Sequence, residues 1–598
     1  MKKYQARILD VNLSHRTFEV RVLDPEICYR FIGGRGLGAA LLWDEFPKRE
    51  DPLSPDAPLI FLLGPLTALL PGGAQMCTVF KSPETEKTYS HSIVGAHFGM
   101  ELRFAGFDGL MIRGQSEGPV ILSIEDSKVS FKEAEYLWGK GTFETEAQLK
   151  KEAKDPFVRV LSIGPAGENL VRFASIQQEY FHAAARGGAG CLMGSKKLKA
   201  ITVRGHCLLT PKKPKALYRV FTDIYNRLRK ARTEIRGGYY LTRWGSSVGS
   251  VRHSDANELD VKNYREAFWS DIDKIGGLEY ERQYKVKTRG CGLCPVACMQ
   301  VGVIKEGPYA GRVACPDYDS TSTIGAGCLV QDLDGLIYLN SLGDEWGVDN
   351  ISLGNVTSFA MECYEKGVIT RQDLDGIDLQ WGNVEAMKAL WLKILKKEGI
   401  GKILAQGVKK ASQVFGKGSE KYAMQSKGLE FGAYAPQAHP DRALQFAVGD
   451  RGGCHHFGAT MGEQNYRVIA DSLIVCTWHR HFIDPSLYIK GLNAATGWDY
   501  TREDWDFLAD RLLTMARVYN IREGVQPWEE DILPDRIHTE PLTWGTKKGA
   551  YYPKEQFLRD REEWYRKRGC DDRGVPTLEH LKKMGLDFVI PDLERILR

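Results

Sequence analysis

Three cysteines in Cys291-Gly-Leu-Cys294-Pro-Val-Ala-Cys298 constrain this 598-residue chain more than any other feature. Spaced by two and then three residues, their thiolates can converge on one soft metal centre. A [4Fe–4S] cluster needs four such ligands, so a fourth must arrive from elsewhere in the fold. Structural zinc is the alternative, although it usually draws on two separated ligand pairs. The order of spacings argues against radical enzymes, in which three intervening residues precede two. No second triplet occurs, which excludes a two-cluster ferredoxin-like carrier.

The remaining cysteines fit a metal rather than a disulfide reading. There are 13 in all, an odd and irregularly spaced set, and residues 1–10 have no apolar stretch of the secretory kind. The longest apolar run, residues 57–70, contains Pro58, Gly64 and Pro65. It is shorter than the ~20 residues of a membrane span and predicts a buried strand and turn. A cytoplasmic protein without a membrane span is expected. Lys and Arg total 81 against 77 Asp and Glu, a net charge of +4. That balance excludes a nucleic-acid binder held by a basic field.

Residues 7–11 and 18–22 alternate apolar and polar around Ser14-His15-Arg16, and residues 120–124 and 129–131 repeat the pattern. Both read as β-hairpins. Beyond Pro211 the periodicity becomes helical. Leu217, Val220, Phe221, Ile224, Tyr225 and Leu228 predict one helix face, and Met387, Leu390, Trp391, Ile394 and Leu395 another, stopped by Gly399. The expected class is α+β: a β-rich base over 1–208 and mainly helical domains over 209–415 and 416–598, with seams at Pro211–Pro214 and near Gly416–Gly418.

Weaker signals accompany the triplet. Gly33-Gly34-Arg35-Gly36-Leu37-Gly38 before Ala39–Trp43 has the look of a dinucleotide fingerprint, but close backbone packing accounts for it better. Arg186-Gly187-Gly188-Ala189-Gly190 suits either an anion cradle or a structural turn. Asp344-Glu-Trp-Gly347-Val348-Asp349 and Asp471-Ser-Leu-Ile-Val475-Cys476 share a five-residue offset. Carboxylates at such turns can accept hydrogen bonds from ring N–H groups, or serve only as helix caps.

Across nearly its whole length the chain resembles the tungsten-containing aldehyde ferredoxin oxidoreductases. The resemblance is carried by Asp51–Pro55, Gly64–Thr67, Phe98–Leu102, Phe104–Asp108, Ile163–Leu170 and Arg186–Gly190 with Met193-Gly194. The cysteine triplet, the two Asp motifs and Arg451-Gly452-Gly453-Cys454-His455 extend it. It implies tungsten, or alternatively molybdenum, held between the dithiolenes of two pterins, with Mg2+ at their phosphates and a [4Fe–4S] cluster nearby. On that resemblance Cys291, Cys294, Cys298 and Cys476 would ligate the cluster. Asp344, Val348 and Asp349 would hold one pterin, and Asp471 and Val475 the other. Gly95, His182, Ala183, Ala185, Arg186 and Arg451 would complete the cofactor contacts. His455 matches the histidine beside the metal, and Asp319 stands where the family has a glutamate, with Asp317 a close competitor.

The implied reaction oxidises an aldehyde to a carboxylic acid, His455 polarising the carbonyl while a carboxylate assists proton removal. A low-potential reductase resembling benzoyl-CoA reductase catalytic subunits, acting on an aryl or acyl substrate, is the alternative. A cluster-bearing electron-transfer or scaffold subunit without pterin leaves the paired Asp motifs unexplained. Electrons would leave to ferredoxin or to iron–sulfur or flavin partner subunits, and an oligomer is expected. Departures from the family pattern are several. Ile474 and Val475 replace Gly and Leu, and His182 and Gln75 or Met76 replace pterin-contacting arginines. Tyr338 and Lys388 replace the ligands of an intersubunit iron, which is therefore not expected. The stretch between His455 and Asp471 is short, and it is expected to shape the substrate entrance.

Overall fold

The computed structural model describes residues 4–234 and 238–597. Its first 205 residues form two six-stranded sheets. The first contains β1 (Arg7–Asn12), β2 (Thr17–Val22), β3 (Leu59–Leu62), β4 (Met76–Lys81), β5 (Tyr89–Val94) and β6 (Gly109–Arg113), in the order β2-β1-β6-β3-β4-β5. The second contains β7 (Val120–Glu125), β8 (Lys128–Glu133), β9 (Arg159–Ser162), β10 (Ile176–Gln178), β11 (His182–Ala184) and β12 (Leu198–Arg204), in the order β11-β10-β9-β12-β7-β8. β1 runs parallel to β6 and β7 parallel to β12; the other pairings in these sheets are antiparallel. Both expected hairpins are present. Strands β3 and β4 are buried along their whole length, which is why residues 57–70 read as an unbroken apolar run.

Helices dominate the rest. Those that frame the site are α1 (Gly34–Glu45), α2 (Pro214–Ala231), α3 (Leu333–Trp346), α4 (Asn350–Glu365), α5 (Val384–Lys396), α6 (Pro440–Val448), α7 (Met461–Leu473) and α8 (Asp504–Arg522). Two helix expectations need adjustment. Tyr225 on α2 is exposed, because the helix buries a stripe narrower than its apolar content, through Leu217, Val220, Ile224 and Leu228. The end of α5 is set by Lys397 in the left-handed region (φ 54°), with Gly399 two residues beyond. Among the described residues no helix is long and apolar enough to cross a membrane.

Two large apolar cores result, beside a small third cluster around Ile121, Leu149 and Val160. One joins the first sheet to the C-terminal helices, bringing Leu9, Phe61 and Val79 together with Leu473, Leu512 and Tyr519. The other gathers the middle helices, with Leu336, Phe359 and Trp391, onto Ala166, Phe173 and Cys191 of the second sheet region. The β-rich base therefore faces both helical parts, and each carries one Asp motif to it.

Candidate functional site

The Asp344–Asp349 turn links α3 to α4. Gly347 closes α3 in the left-handed conformation (φ 71°), and Asp349 caps α4 by accepting from the Ile351 N–H. The turn is bonded to the base at three points: the Asp349 N–H donates to Phe173 O at 3.0 Å, the Ser175 N–H to Gly347 O at 2.8 Å, and Val348 bridges Ala174. Asp344 accepts from Asn340 Nδ2 at 3.0 Å and Asn350 Nδ2 at 3.2 Å, and burial pushes its carboxyl well above the usual range. Asp349 pairs with buried Arg186 at 3.1 Å. Ser352 Oγ lies 2.8–3.1 Å from carboxylate oxygens of Asp349, Glu84 and Glu430. The Gly187 N–H donates to Glu84 at 3.2 Å, so the glycine run ending β11 is a turn with a protein partner.

The Asp471–Cys476 turn ends α7 with Ile474 in the left-handed region (φ 59°, ψ 58°). The geometry expected of the replaced glycine is retained by a β-branched residue. Its neighbours explain the glycines ahead of α1. A Cβ on Gly34 (φ 38°) would lie 2.1 Å from Asp471 O, and one on Gly64 2.2 Å from Leu473 O. Packing against this turn, rather than a dinucleotide, requires Gly33-Gly34. The Asp471 carboxylate faces Arg35 at 3.6 Å and His91 at 3.9 Å, while Arg35 also pairs with Asp450. Burial raises the Asp471 pKa against the pull of Arg35, Arg467 and Arg451.

Cys476 leads from this turn to the thiols. Its N–H donates to Gly72 O at 3.2 Å. Burial raises the Cys291, Cys294, Cys298 and Cys476 thiols, Cys291 to about 11, and the nearest electrostatic influences on Cys298 are Cys291, Cys476 and Cys294 in that order. The element carrying the distant fourth cysteine reaches the triplet, with Cys294 Sγ 3.7 Å from His479 Nε2, three residues beyond Cys476, although among the described residues no three His, Cys, Asp or Glu side chains are drawn together closely enough to hold a metal ion. A soft cation is the species that would hold such buried thiols as thiolates. All 13 cysteines are free. Cys291 Sγ accepts from the Ala96 N–H at 3.4 Å, and a Cβ on Gly95 would come within 3.0 Å of it and 2.9 Å of His182 Nδ1. Gly95, His182 and the Cys291 thiol thus meet at one point, with Ala183 on β11 and Ala185 leading to Arg186. Burial holds the His182 imidazole down at about 4.

His455 and Asp319 arrive from different elements. Asp319 lies in a single turn (Tyr318–Ser320) that runs into a π-helical segment, Thr321–Ala326, a local distortion frequent at functional sites. Asp317 caps that turn, accepting from the Ser320 N–H at 2.8 Å, which separates its role from that of Asp319. His455 Nε2 is 3.5 Å from Asp319 Oδ2. Gly432 makes room for the ring: a Cβ there would be 2.4 Å from His455 Nδ1. Burial holds His455 neutral and Asp319 protonated well above the ordinary carboxylate range, the second aided by Asp317.

Several residues beyond the predicted set belong to this region. Arg35 is 2% exposed, and a charged side chain among small apolar residues was the visible sign of it. His91, Glu84, Glu430, Tyr434 and Arg467 had no sequence signal, because each is recruited through tertiary packing. Buried Arg35 Nη1, His91 Nδ1, Arg186 Nε, Asn340 Oδ1, Asn350 Oδ1, Asp319 Oδ1 and His455 Nδ1 make no hydrogen bond within the protein. Buried donors and acceptors are normally satisfied, so this set fits a large polar group with ring N–H and anionic oxygens between the two turns.

One family model, the N-terminal domain of aldehyde ferredoxin oxidoreductase, matches residues 8–205, and a second, its domains 2 and 3, matches residues 220–586. The chain belongs to the aldehyde ferredoxin oxidoreductase family. Tungsten-containing members from Pyrococcus horikoshii and Pyrococcus furiosus are each 33% identical to it. They cover 98% and 97% of the chain and 99% and 98% of their own lengths. An aliphatic sulfonate oxidoreductase, WOR-like subunit, of Pyrococcus furiosus is 32% identical over 100% of the chain and 99% of its own. Among solved structures, the BamBC active-site complex of benzoyl coenzyme A reductase with 1,5-dienoyl-CoA superimposes with a TM-score of 0.85. Identity is 25%, and both chains are covered completely. The protein is accordingly an oxidoreductase of this family's fold.

Proposed function

We propose that the protein oxidises an aldehyde to a carboxylic acid at a tungsten, or alternatively molybdenum, bis-pterin centre. Electrons leave through a [4Fe–4S] cluster to ferredoxin or to an iron–sulfur or flavin partner subunit. The observation that supports this reading is the Asp319–His455 pair, with Oδ2 and Nε2 3.5 Å apart. Asp344, Val348 and Asp349 would hold one pterin and Asp471 and Val475 the other. Gly95, Ala183, Ala185 and Arg186 would line the region of the phosphates and their Mg2+, His182 and Arg451 would complete the cofactor contacts, and Cys291, Cys294, Cys298 and Cys476 would hold the cluster. When bound, the bis-pterin metal supplies the two-electron oxidant and the cluster a route for single electrons. The chain supplies the rest. Neutral His455 donates a ring N–H to the carbonyl oxygen, a contact worth about 10²–10³ in rate at comparable sites. In its ionised form Asp319 would accept a proton from the water that supplies the second oxygen of the acid.

Anaerobic holoenzyme should contain about one tungsten or molybdenum and four irons per chain and reduce viologen with aldehyde as donor. His455→Ala should keep both metals and lose turnover; loss of metal together with activity would make His455 structural. Cys294→Ser should impair iron retention, and unchanged iron with an unchanged cluster spectrum would remove it from the ligand set. Because Asp319 stays protonated above the usual carboxylate range, its base form grows only as pH rises past that range. Turnover should therefore climb with pH, and Asp319→Asn should flatten that limb and slow turnover about 10²–10⁴-fold. A pH profile unchanged in the variant would assign the proton to another group.

A second reading is supported by the full-length structural match to the benzoyl coenzyme A reductase complex. It is a low-potential reductase of an aryl or acyl thioester. Turnover of an aryl-CoA without turnover of any aldehyde would favour it.

A further inference from the structure

In contrast to its contact with acidic Asp319, His455 also has arginines gathered around it. Arg442 of α6 lies 4.3 Å over the Tyr434 ring, Tyr434 is 5.2 Å from His455, and His455 is 4.4 Å from His456. Arg467 of α7 closes the arc, with Nη1 3.2 Å from His456 Nδ1. Among the described residues neither arginine has a carboxylate within 4.0 Å, and each keeps a buried Nε with no partner. Arg467 is 7% exposed. The acidic groups nearby are engaged elsewhere: Glu463 accepts from the Ala459 N–H and lies 3.9 Å from Arg480, and Glu258 binds His253 and His439. Asp471 lies beyond ion-pair distance of Arg467 and faces Arg35. Towards solvent, Arg480 continues the positive lining beside exposed Trp478.

A buried guanidinium without a counter-charge is costly unless a ligand completes it. Burial and the nearby Arg480 depress the Arg467 pKa against the pull of Glu463 and Asp471, neither of which is within ion-pair distance of it. Arg467 also projects from α7, the element that fills the short stretch between His455 and Asp471. A guanidinium fork there matches the oxygens of a carboxylate, sulfonate or phosphate.

We propose that Arg467 and Arg442 form an anion subsite beside His455, and that the substrate carries an anionic group on the end remote from its reacting carbon. This rests on the reading of His455 as the reaction centre. The test uses anaerobic holoenzyme, calorimetric titration with succinate, propane-1-sulfonate and neutral butyramide, and turnover of succinic semialdehyde against butanal. The two anions should bind and butyramide should not, with binding weakened by added salt. Arg467→Gln and Arg442→Gln should each weaken anion binding about tenfold, the loss of one charge-assisted hydrogen bond. The same variants should erase a preference of about tenfold or more for the charged aldehyde. Arg442 is partly exposed, so its variant remains informative should Arg467→Gln fail to fold. Anion binding unaffected by either substitution, or equal turnover of charged and neutral aldehydes, would overturn the proposal. So would loss of tungsten in both variants, because the arginines would then serve the cofactor. If no aldehyde is oxidised yet anion binding still depends on Arg467, the subsite stands and the aldehyde reading falls.

Discussion

The two Asp turns do similar work with different wiring. The Asp344–Asp349 turn carries more of its own specification, besides its three bonds to the base: Gly347 takes the left-handed position, Asn340 and Asn350 hold Asp344, and Asp349 caps its own helix. The Asp471–Cys476 turn is specified from outside. Its left-handed residue is Ile474, and its shape depends on Gly34 and Gly64 approaching its carbonyls and on Arg35 reaching Asp471 and Asp450. A turn that carries more of its own specification should tolerate changes in the base better than one imposed by tertiary contact.

The largest test of that contrast is Arg35→Met. Removing one partner of a buried ionic group leaves Asp450 without its ion pair and Asp471 with only the more distant Arg467 and Arg451, at a cost of about 3–5 kcal/mol. Denaturant midpoints and metal content should both fall. Retention of full stability would mean that the pair is not needed to hold the second turn. Next comes Gly34→Ala, whose Cβ would meet Asp471 O at 2.1 Å on a residue with φ 38°. Backbone cannot yield as a flexible side chain can, so a loss of about 3 kcal/mol is expected, accompanied by weaker cofactor retention. An unchanged midpoint would show that α7 can shift without penalty.

This contrast also explains what the sequence made legible. The α+β class, the two hairpins and the buried run at 57–70 follow from periodicity, which local residues carry. The Cys triplet and the Asp349 cap are likewise local. Gly33-Gly34 was readable as a packing device, but its partner, 437 or so residues away in sequence at Asp471, was not. Arg35, Glu84, Glu430 and Arg467 became site residues only because separate elements bury them together, and no spacing along the chain encodes that. Tyr225 shows the reverse limit: an apolar residue at helical spacing remains exposed when the neighbouring helix covers a narrower stripe.

The smallest expected effect is the most discriminating. Left-handed backbone costs a non-glycine residue about 1–2 kcal/mol, so Ile474→Gly would relieve that strain. Ile474 is fully buried, however, and losing its side chain costs about 1.5–3 kcal/mol, to which the greater freedom of glycine in the unfolded chain adds about 0.5–1 kcal/mol. Packing therefore outweighs strain, and Ile474→Gly should destabilise by about 1–2 kcal/mol. At Gly347 (φ 71°) both terms point the other way, since a Cβ would add strain and approach Gly164 N to 2.7 Å. Gly347→Ala should therefore cost more, about 2–3 kcal/mol. Denaturation of the two variants side by side decides the matter. If Ile474→Gly were the more stable protein, the second turn would be a strained version of the first, and its dependence on the base would have to be explained by Arg35 alone.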